Sequence, residues 1–170
     1  MALEVVILAA GKGKRMCSNK PKVLHCVANK TILQHVLDQA YSLSPVKIHV
    51  VYGHEGQQVK ASITDPKISW VHQQQQLGTG HAVLQALEFI APENDVLILV
   101  SDIPLLQAET LQKLQQTSLN ADLTLLTTEM ENPFGLGRIL SEHNQLQGIV
   151  EEKDATGEQR KIKEINSGVM

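Results

Sequence analysis

This chain is poor in aromatic residues and carries no excess of positive charge. Its 170 residues include one Trp, two Tyr and two Phe, and its formal net charge at pH 7 is −3. Proteins that bind single-stranded nucleic acid stack the bases on aromatic side chains, and proteins that bind duplex DNA need many cationic contacts to phosphate. The composition therefore excludes a nucleic-acid partner.

The chain also lacks long hydrophobic runs and has few cysteines. No apolar run approaches the roughly 20 residues of a membrane-spanning helix, and the N-terminus lacks the layout of a signal peptide. Cys17 and Cys26 match no metal or redox spacing. A disulfide is the alternative, but for an intracellular chain we expect free thiols. We therefore expect a cytoplasmic protein without a membrane partner, and the length suits one domain.

Acidic residues are absent from the stretch between Val5 and Leu37. A basic stretch in a chain of negative net charge produces a local positive field that attracts an anionic substrate. A solvated basic loop is the alternative. The basic residues of this stretch are Lys12, Lys14, Arg15, Lys20, Lys22 and Lys30.

A glycine-rich loop follows the first apolar run of the chain. The run from Val5 to Ala10 has no charge and no alternation, which predicts a buried parallel strand. Gly11 and Gly13 then alternate with basic residues, and such a backbone can approach a ligand and form an anion-binding concavity. The dinucleotide fingerprint is excluded because Met16 stands where it needs Gly or Ala, and the P-loop pattern is absent. The loop predicts a polyphosphate site of another kind.

Strands and helices alternate along the chain, which predicts a three-layer α/β domain with a mostly parallel, mixed sheet. Ligands in such sheets bind outside the carboxyl ends of the strands, which directs attention to residues 11–15, 72–80 and 101–104. We expect strands at 4–10, 46–52, 69–71, 95–100 and 119–128, helices at 31–43, 55–63, 79–91 and 107–118, and a hairpin at 138–150.

The loop after the third predicted strand is rich in glutamine and glycine. Gln73 and Gln76 each offer a paired donor and acceptor, which complements the edge of a nucleic-acid base. Gly78 permits close backbone contact with a flat ring, and Thr79 is expected to cap the following helix. A polar surface loop is the alternative. The position at a strand end favours recognition of a base.

Asp102 follows an apolar strand, with only Ser101 between them. A carboxylate in that position is costly unless it is paired or binds a cation. Mg²⁺ is bound by one or two carboxylates together with substrate phosphates, so a metal ligand fits opposite a phosphate loop. A helix N-cap is the alternative, because Ile103 and Pro104 come next.

Taken together, the motifs resemble those of the sugar-nucleotide pyrophosphorylases. More narrowly, the chain resembles the N-terminal uridylyltransferase domain of the bacterial bifunctional N-acetylglucosamine-1-phosphate uridylyltransferase / glucosamine-1-phosphate acetyltransferase family. This resemblance implies a Rossmann-like nucleotidyltransferase fold and the Mg²⁺-dependent conversion of UTP and N-acetylglucosamine 1-phosphate to UDP-N-acetylglucosamine and pyrophosphate. The motifs are Leu8–Met16 with Pro21 and Lys22, Gln76–Ala82, Gly135–Ile139, Val150–Ala155 and Glu164–Gly168.

The resemblance also implies roles for particular residues. Arg15 and Lys22 are expected to be catalytic, acting on the leaving pyrophosphate and on the α-phosphate, and Asp102 is expected to bind Mg²⁺. The expected sugar-binding residues are Gly137, Glu151 and Asn166. The expected nucleotide-binding residues are Leu8, Ala9, Ala10, Gly11, Gln73, Gln76, Gly78 and Thr79.

The chain departs from this family at two places. Val100 and Ser101 stand where the family usually has Tyr and Gly, and the chain ends at Met170, before the family's second Mg²⁺ ligand and its trimerising β-helix domain. We therefore expect one nucleotidyltransferase domain over residues 1–170, incomplete at the C-terminus, with an incomplete metal site, no acetyltransferase domain, and a monomeric or weakly dimeric state. The alternatives are a UTP- or UDP-sugar-binding remnant without turnover and a nucleotidyltransferase for another sugar phosphate.

Overall fold

The computed structural model describes residues 2–11, 13, 16–53, 56–119, 121–143 and 145–170. The chain divides into two compact units, Met1–Gln116 and Thr117–Met170. Within the described ranges, no helix is both long enough and apolar enough to span a bilayer.

The first unit alternates strands and helices, as the sequence predicts. A short 3₁₀ helix at Lys22–Leu24 follows the glycine loop, and a two-stranded hairpin precedes the first α-helix. The elements are β1 (Leu3–Ala9), β2 (Cys26–Val27), β3 (Lys30–Thr31), α1 (Ile32–Ser42), β4 (Lys47–Tyr52), α2 (Gly56–Ser62), β5 (Ile68–His72), α3 (Thr79–Leu87), β6 (Asp95–Val100) and α4 (Ala108–Ser118).

β1 lies between β4 and β6 in a four-stranded parallel sheet of order β5-β4-β1-β6. Ile7 is aligned with Val50 on one side and with Leu99 on the other. Val5, Val6 and Ile7 have no exposed surface. A strand buried on both faces needs apolar residues at successive positions. The predicted buried parallel strand and the α/β fold are therefore confirmed.

The order of the strands creates a crevice at one edge of this sheet. From β1 the chain proceeds outward to β4 and β5, and it then returns to the other side of β1 at β6. In open α/β sheets, ligands bind at the carboxyl ends of the strands where the order reverses. The residues that follow β1 and β6 therefore lie at the position that the fold favours for a ligand.

Helix α3 ends earlier than the sequence predicts. We expect from the pattern a helix that continues to about Ala91, but α3 ends at Leu87. The Ala91 N–H donates to the Glu4 carboxylate at 3.0 Å, and the next residue, Pro92, has no N–H. Neither residue can therefore extend the helix. Ile90 still packs against the core cluster under α3.

The second unit contains four strands, β7 (Leu126–Glu129), β8 (Arg138–Glu142), β9 (Gln145–Val150) and β10 (Glu164–Val169). They form an antiparallel sheet of order β7-β10-β8-β9, in which β8 and β9 are the predicted hairpin. The predicted strand at 119–128 is shorter than expected. It begins at Leu126, where its pairing with Val169 of β10 begins, and a turn with a hydrogen bond from the Ala121 N–H to the Ser118 carbonyl precedes it. These strands form a sheet of their own instead of joining the parallel one in a single mixed sheet.

A buried hydrogen-bonded pair of side chains lies near the amino end of the parallel sheet. His49 Nε2 and Glu4 Oε2 are 2.6 Å apart, and their side chains are 0% and 4% exposed. Glu4 Oε1 accepts from the Ala91 N–H at 3.0 Å and from the Asn94 amide at 2.8 Å. Burial raises the pKa of Glu4, but the hydrogen bonds from His49, Asn94 and Ala91 outweigh burial and hold this pKa below its ordinary value. The carboxylate thus joins β1, β4 and the segment after α3.

Replacement of Glu4 by Ala is expected to lower the free energy of unfolding at pH 7 by about 3 kcal/mol. The reason is that His49, Asn94 and the Ala91 N–H would lose their buried acceptor. Urea denaturation measures the change. Glu93→Ala, at an exposed neighbouring position, is the control and should stay within about 0.5 kcal/mol of the parent chain. Equal losses in the two variants would contradict this role of Glu4.

Candidate active site

A cavity of about 300 Å³ lies at the carboxyl ends of β1 and β6. Its size falls at the lower end of the range for small-molecule sites. Nine residues predicted from the sequence to bind nucleotide, metal or phosphate line it together. They are Leu8, Ala10, Gly11, Lys22, Gln73, Gln76, Gly78, Thr79 and Asp102.

Two of the predicted site residues, Ala9 and Arg15, are not among these nine. Ala9 belongs to β1 and is buried in the core at 6% exposure, because successive residues of a strand point to opposite faces. It does not line the cavity. Arg15, predicted to act on the leaving pyrophosphate, lies outside the described residues, as do Lys12 and Lys14.

Lys22 and Asp102 form an ion pair across this cavity. Lys22 Nζ donates to Asp102 Oδ2 at 2.7 Å, and the two side chains are 27% and 47% exposed. At this exposure the pair contributes little to stability, so both charges remain available to a ligand. The alternative role of Asp102 as a helix N-cap is wrong, because α4 begins only at Ala108.

The residues around Asp102 fit a divalent cation only if a substrate supplies further ligands. Asp102 is the one carboxylate among the described residues that line the cavity. No group of three or more His, Cys, Asp or Glu side chains is placed to hold a metal ion in the part of the chain that the structure describes. Mg²⁺ commonly keeps several waters and binds one or two carboxylates together with substrate phosphates. A single carboxylate beside a phosphate loop is consistent with that pattern.

The two glutamines of the site bind the protein's own backbone. Gln73 is 2% exposed, and its Nε2 donates to the Gly78 carbonyl at 3.1 Å and lies 3.0 Å from His81 Nδ1. Gln76 Nε2 donates to the Ala10 carbonyl at 2.7 Å. The first contact closes the loop on itself, and the second ties the loop to the end of β1. The glutamines therefore also shape the cavity that they line.

The start of helix α3 differs from the prediction. Gly78, not Thr79, occupies the N-cap position, and no side chain caps the helix there. Gly78 has φ +106°, a conformation that favours glycine. Thr79 is instead the first residue of the helix and lines the cavity. The helix N-terminus thus presents its first backbone N–H groups near the cavity.

Two further glycines are needed for this geometry, and the sequence analysis assigned them no such role. A Cβ on Gly53 would lie 2.3 Å from Gln76 Nε2 and 2.9 Å from the Ala10 carbonyl oxygen. A Cβ on Gly13 would lie 2.7 Å from Lys22 Cβ, and Gly13 also has φ +56°. The sequence signals for these two positions are weak. Gly53 directly follows an apolar strand, and Gly13 lies within the basic loop.

The three residues predicted to bind the sugar lie together in the second unit. The Asn166 N–H donates to the Gly137 carbonyl at 2.9 Å. A Cβ on Gly137 would lie 3.4 Å from Glu151 Oε1. Glu151 and the Asn166 backbone thus adjoin Gly137, while the Asn166 side-chain oxygen accepts from the Gly168 N–H at 2.9 Å.

A buried arginine holds the loop before β8 in place. Arg138 is 1% exposed, and its Nη2 donates to Glu152 Oε2 at 2.6 Å. Arg138 also donates to the Leu136 carbonyl. The Glu152 carboxylate accepts from the Gly135 N–H at 3.1 Å and pairs with Arg160 at 3.3 Å. The hydrogen bond from Arg138, followed by that from Gly135, lowers the pKa of Glu152 below its ordinary value.

Comparison with known proteins defines the class of this site. Residues 5–162 match the family model of the MobA-like NTP transferase domain. This chain therefore belongs to that family of nucleotidyltransferases.

Solved structures agree on the fold. UDP-glucose pyrophosphorylase complexed with UDP-glucose is 18% identical, with a TM-score of 0.82 over 99% of this chain and 75% of that one. HddC from Yersinia pseudotuberculosis is 21% identical, with a TM-score of 0.74 over 99% of this chain and 75% of that one. Rv0371c from Mycobacterium tuberculosis, in complex with manganese, is 20% identical, with a TM-score of 0.60 over 69% and 60%. At these identities the similarity concerns the fold alone.

Replacement of Gly53 by Ala is expected to destabilise the chain by about 1–3 kcal/mol, because the added methyl group must displace Gln76 and the backbone of Ala10. Thermal or urea unfolding measures this loss. Gly148→Ala is the matched control, since a Cβ on Gly148 meets no atom within 4 Å. If the two variants unfold alike, the close packing at Gly53 is not what holds Gln76 in place.

The lowered pKa of Glu152 predicts a stability that depends on pH. A carboxyl group whose pKa is lower in the folded state stabilises the protein fully above its unfolded value, here 4.5, and this contribution is lost as the pH falls through the folded value. We expect unfolding free energies from pH 7 to 3 to fall more steeply below pH 4.5 in the parent chain than in Glu152→Gln. Glu158→Gln, at an exposed position, should behave as the parent does, and an unchanged slope in Glu152→Gln would contradict the assignment.

Proposed function

We propose that this chain transfers a uridylyl group from UTP to N-acetylglucosamine 1-phosphate and releases pyrophosphate, with Mg²⁺ as cofactor and with residues 1–170 acting as one nucleotidyltransferase domain. The observation that carries the proposal is the cavity at the carboxyl ends of β1 and β6. This cavity combines a cation, Lys22, and an anion, Asp102, with the glutamine and glycine residues of the loop before α3. Membership of an NTP transferase family supports a nucleoside triphosphate as the donor.

The acceptor substrate, a sugar 1-phosphate, is already ionised at neutral pH. A phosphate monoester has its second pKa near 6, so a sugar phosphate is largely dianionic at neutral pH and needs no general base. One of its oxygens forms a bond to the α-phosphorus of UTP, and the bond from that phosphorus to the leaving pyrophosphate breaks. What remains for the protein is to position the reactants and to neutralise their charge.

The ion pair of Lys22 and Asp102 is suited to that task. An α-phosphate oxygen entering the cavity competes with Asp102 for the Lys22 ammonium group, and charge-assisted bonds of this kind are strong. Once Lys22 turns to the phosphate, the Asp102 carboxylate is free to hold a divalent cation. Bound Mg²⁺ supplies further charge neutralisation and orients the phosphates. The manganese in the Rv0371c structure supports the use of a divalent ion. Arg15 stays a prediction for the leaving pyrophosphate.

The amino sugar is proposed to bind at Gly137, Glu151 and Asn166. A carboxylate and an amide hydrogen-bond well to hydroxyl and N-acetyl groups, and a side chain at Gly137 would crowd Ile149 and Glu151, which a Cβ would approach to 3.1 Å and 3.4 Å. The fold similarity to UDP-glucose pyrophosphorylase makes another hexose 1-phosphate the natural competitor for this position.

A second candidate function is nucleotide binding without turnover. It is favoured by the single carboxylate among the described residues of the cavity. It is also favoured by two residues of the cavity lining, because Val100 replaces the Tyr, and Ser101 the Gly, that are usual in the resembled family. Both functions predict that UTP binds. They differ in whether pyrophosphate is released.

Release of pyrophosphate from UTP, Mg²⁺ and N-acetylglucosamine 1-phosphate is the test. We expect release in the parent chain and a loss of roughly 100-fold or more in Asp102→Asn, because the cation would lose its protein ligand. Asp95→Asn is the matched control, since Asp95 lies at the opposite end of β6 and is exposed. It should retain the parent rate.

The remaining outcomes separate the alternatives. UTP binding without release would support the binding function and contradict the enzyme. Faster release with glucose 1-phosphate than with N-acetylglucosamine 1-phosphate would contradict the proposed sugar but not the uridylyl transfer.

A further inference from the structure

The hydrogen bonds of Gln73 leave only one end of its amide available to a ligand. The Nε2 group carries two hydrogens and lies within hydrogen-bond distance of two groups, of which the histidine nitrogen accepts when the ring hydrogen is on Nε2. One is the Gly78 carbonyl at 3.1 Å, and the other is His81 Nδ1 at 3.0 Å. With both hydrogens used, the oxygen Oε1 is the atom that Gln73 can offer to a molecule in the cavity that it lines.

The partners also settle the orientation of this amide. The oxygen and nitrogen of a glutamine amide are assigned from their hydrogen-bond network. The Gly78 carbonyl can only accept, so it requires the nitrogen end of Gln73. His81 requires the same end only when Nδ1 is the unprotonated ring nitrogen, with the ring hydrogen on Nε2. Replacement of His81 by a residue without a hydrogen-bond acceptor would leave the Gly78 carbonyl as the only one of these two partners.

We propose that His81 is a positioning residue that fixes the Gln73 amide with its oxygen towards the nucleotide, so that the site selects a base whose ring nitrogen carries a hydrogen. This inference rests on the proposed function, because it needs a nucleotide in the cavity. Uracil presents N3–H, which donates to Oε1. Cytosine is of equal size, but in the same pose its N3 is an acceptor and faces Oε1 with a lone pair instead of a hydrogen.

The discrimination expected from this arrangement is substantial. Gln73 is 2% exposed, so once a base fills the cavity an unpaired oxygen there is separated from water. A buried polar group left unpaired costs more than an average hydrogen bond contributes, and sites built around such a group reject the analogue that cannot satisfy it. The parent chain should therefore bind UTP at least about tenfold more tightly than CTP.

The test is the ratio of UTP affinity to CTP affinity, measured by titration calorimetry in Mg²⁺ on the full chain. In His81→Leu we expect this ratio to fall by about fivefold, because only the Gly78 carbonyl then holds the amide and the Gln73 oxygen is less firmly directed at the base. His81→Asn places an amide oxygen near the position of Nδ1 and should restore most of the ratio. His81→Phe keeps an aromatic ring without an acceptor, and it replaces His81→Leu if circular dichroism shows that the latter is unfolded.

The control is Gln75→Leu, an exposed glutamine of the same loop, which should keep the parent ratio. A ratio unchanged in both acceptor-free variants would contradict the role of His81, as would a parent chain that binds UTP and CTP equally. A parent chain that binds neither nucleotide would contradict the proposed function and this assignment with it. UTP binding with the expected ratios but without pyrophosphate release would support the role of His81 while contradicting the catalytic proposal.

Discussion

The parallel pairing of β1 with β4 and β6 is the constraint on which the candidate site depends. Parallel strands all end at the same edge of their sheet. The residues that follow β1, β5 and β6 are therefore brought to one edge, although Gly11 and Asp102 are far apart in the chain. Burial of β1 on both faces fixes this strand at the centre of the sheet. The glycine loop, the glutamine loop and Asp102 are attached to that common base.

Close backbone packing then determines what the edge can bind. Gly53 and Gly13 have no side chains where Gln76 and Lys22 approach, so the loops lie against the strand ends. Lys22 and Asp102 satisfy each other without deep burial, which leaves an anion and a cation both able to compete for them. The glutamines hold the loop through backbone carbonyls. The same side chains thus contribute to folding and to the chemistry of the cavity.

The strand ends of the first unit were accessible to sequence reasoning because their signals are local. The apolar run of β1, the glycines after it and the carboxylate after β6 can each be recognised from a few neighbouring residues. Contacts between distant residues could not be predicted in this way. The pairing of Lys22 with Asp102, the acceptor that Glu4 provides for Ala91, and hence the end of α3 at Leu87 depend on residues that are close only in the folded chain.

Errors of the sequence reading have the same origin. Thr79 has the chemistry of a helix cap, but Gly78 takes that position because the loop is closed by Gln73. The side chain of Ala9, in contrast, is buried in the core by its place in β1, and its contact with a nucleotide stays a prediction. No local sequence pattern predicts the ion pair between Arg138 and Glu152, which holds the loop that contains Gly137.

A titration with nucleotide, followed by the NMR shifts of backbone amides, locates the nucleotide site. We expect UTP with Mg²⁺ to shift the amide signals of Gly11, Gln73, Gly78 and Ser101, which lie at the carboxyl edge of the parallel sheet, and to leave those near Glu4 and Asp95 unchanged. Shifts concentrated at the amino edge, or no shifts at all, would contradict a nucleotide site at the ends of β1 and β6.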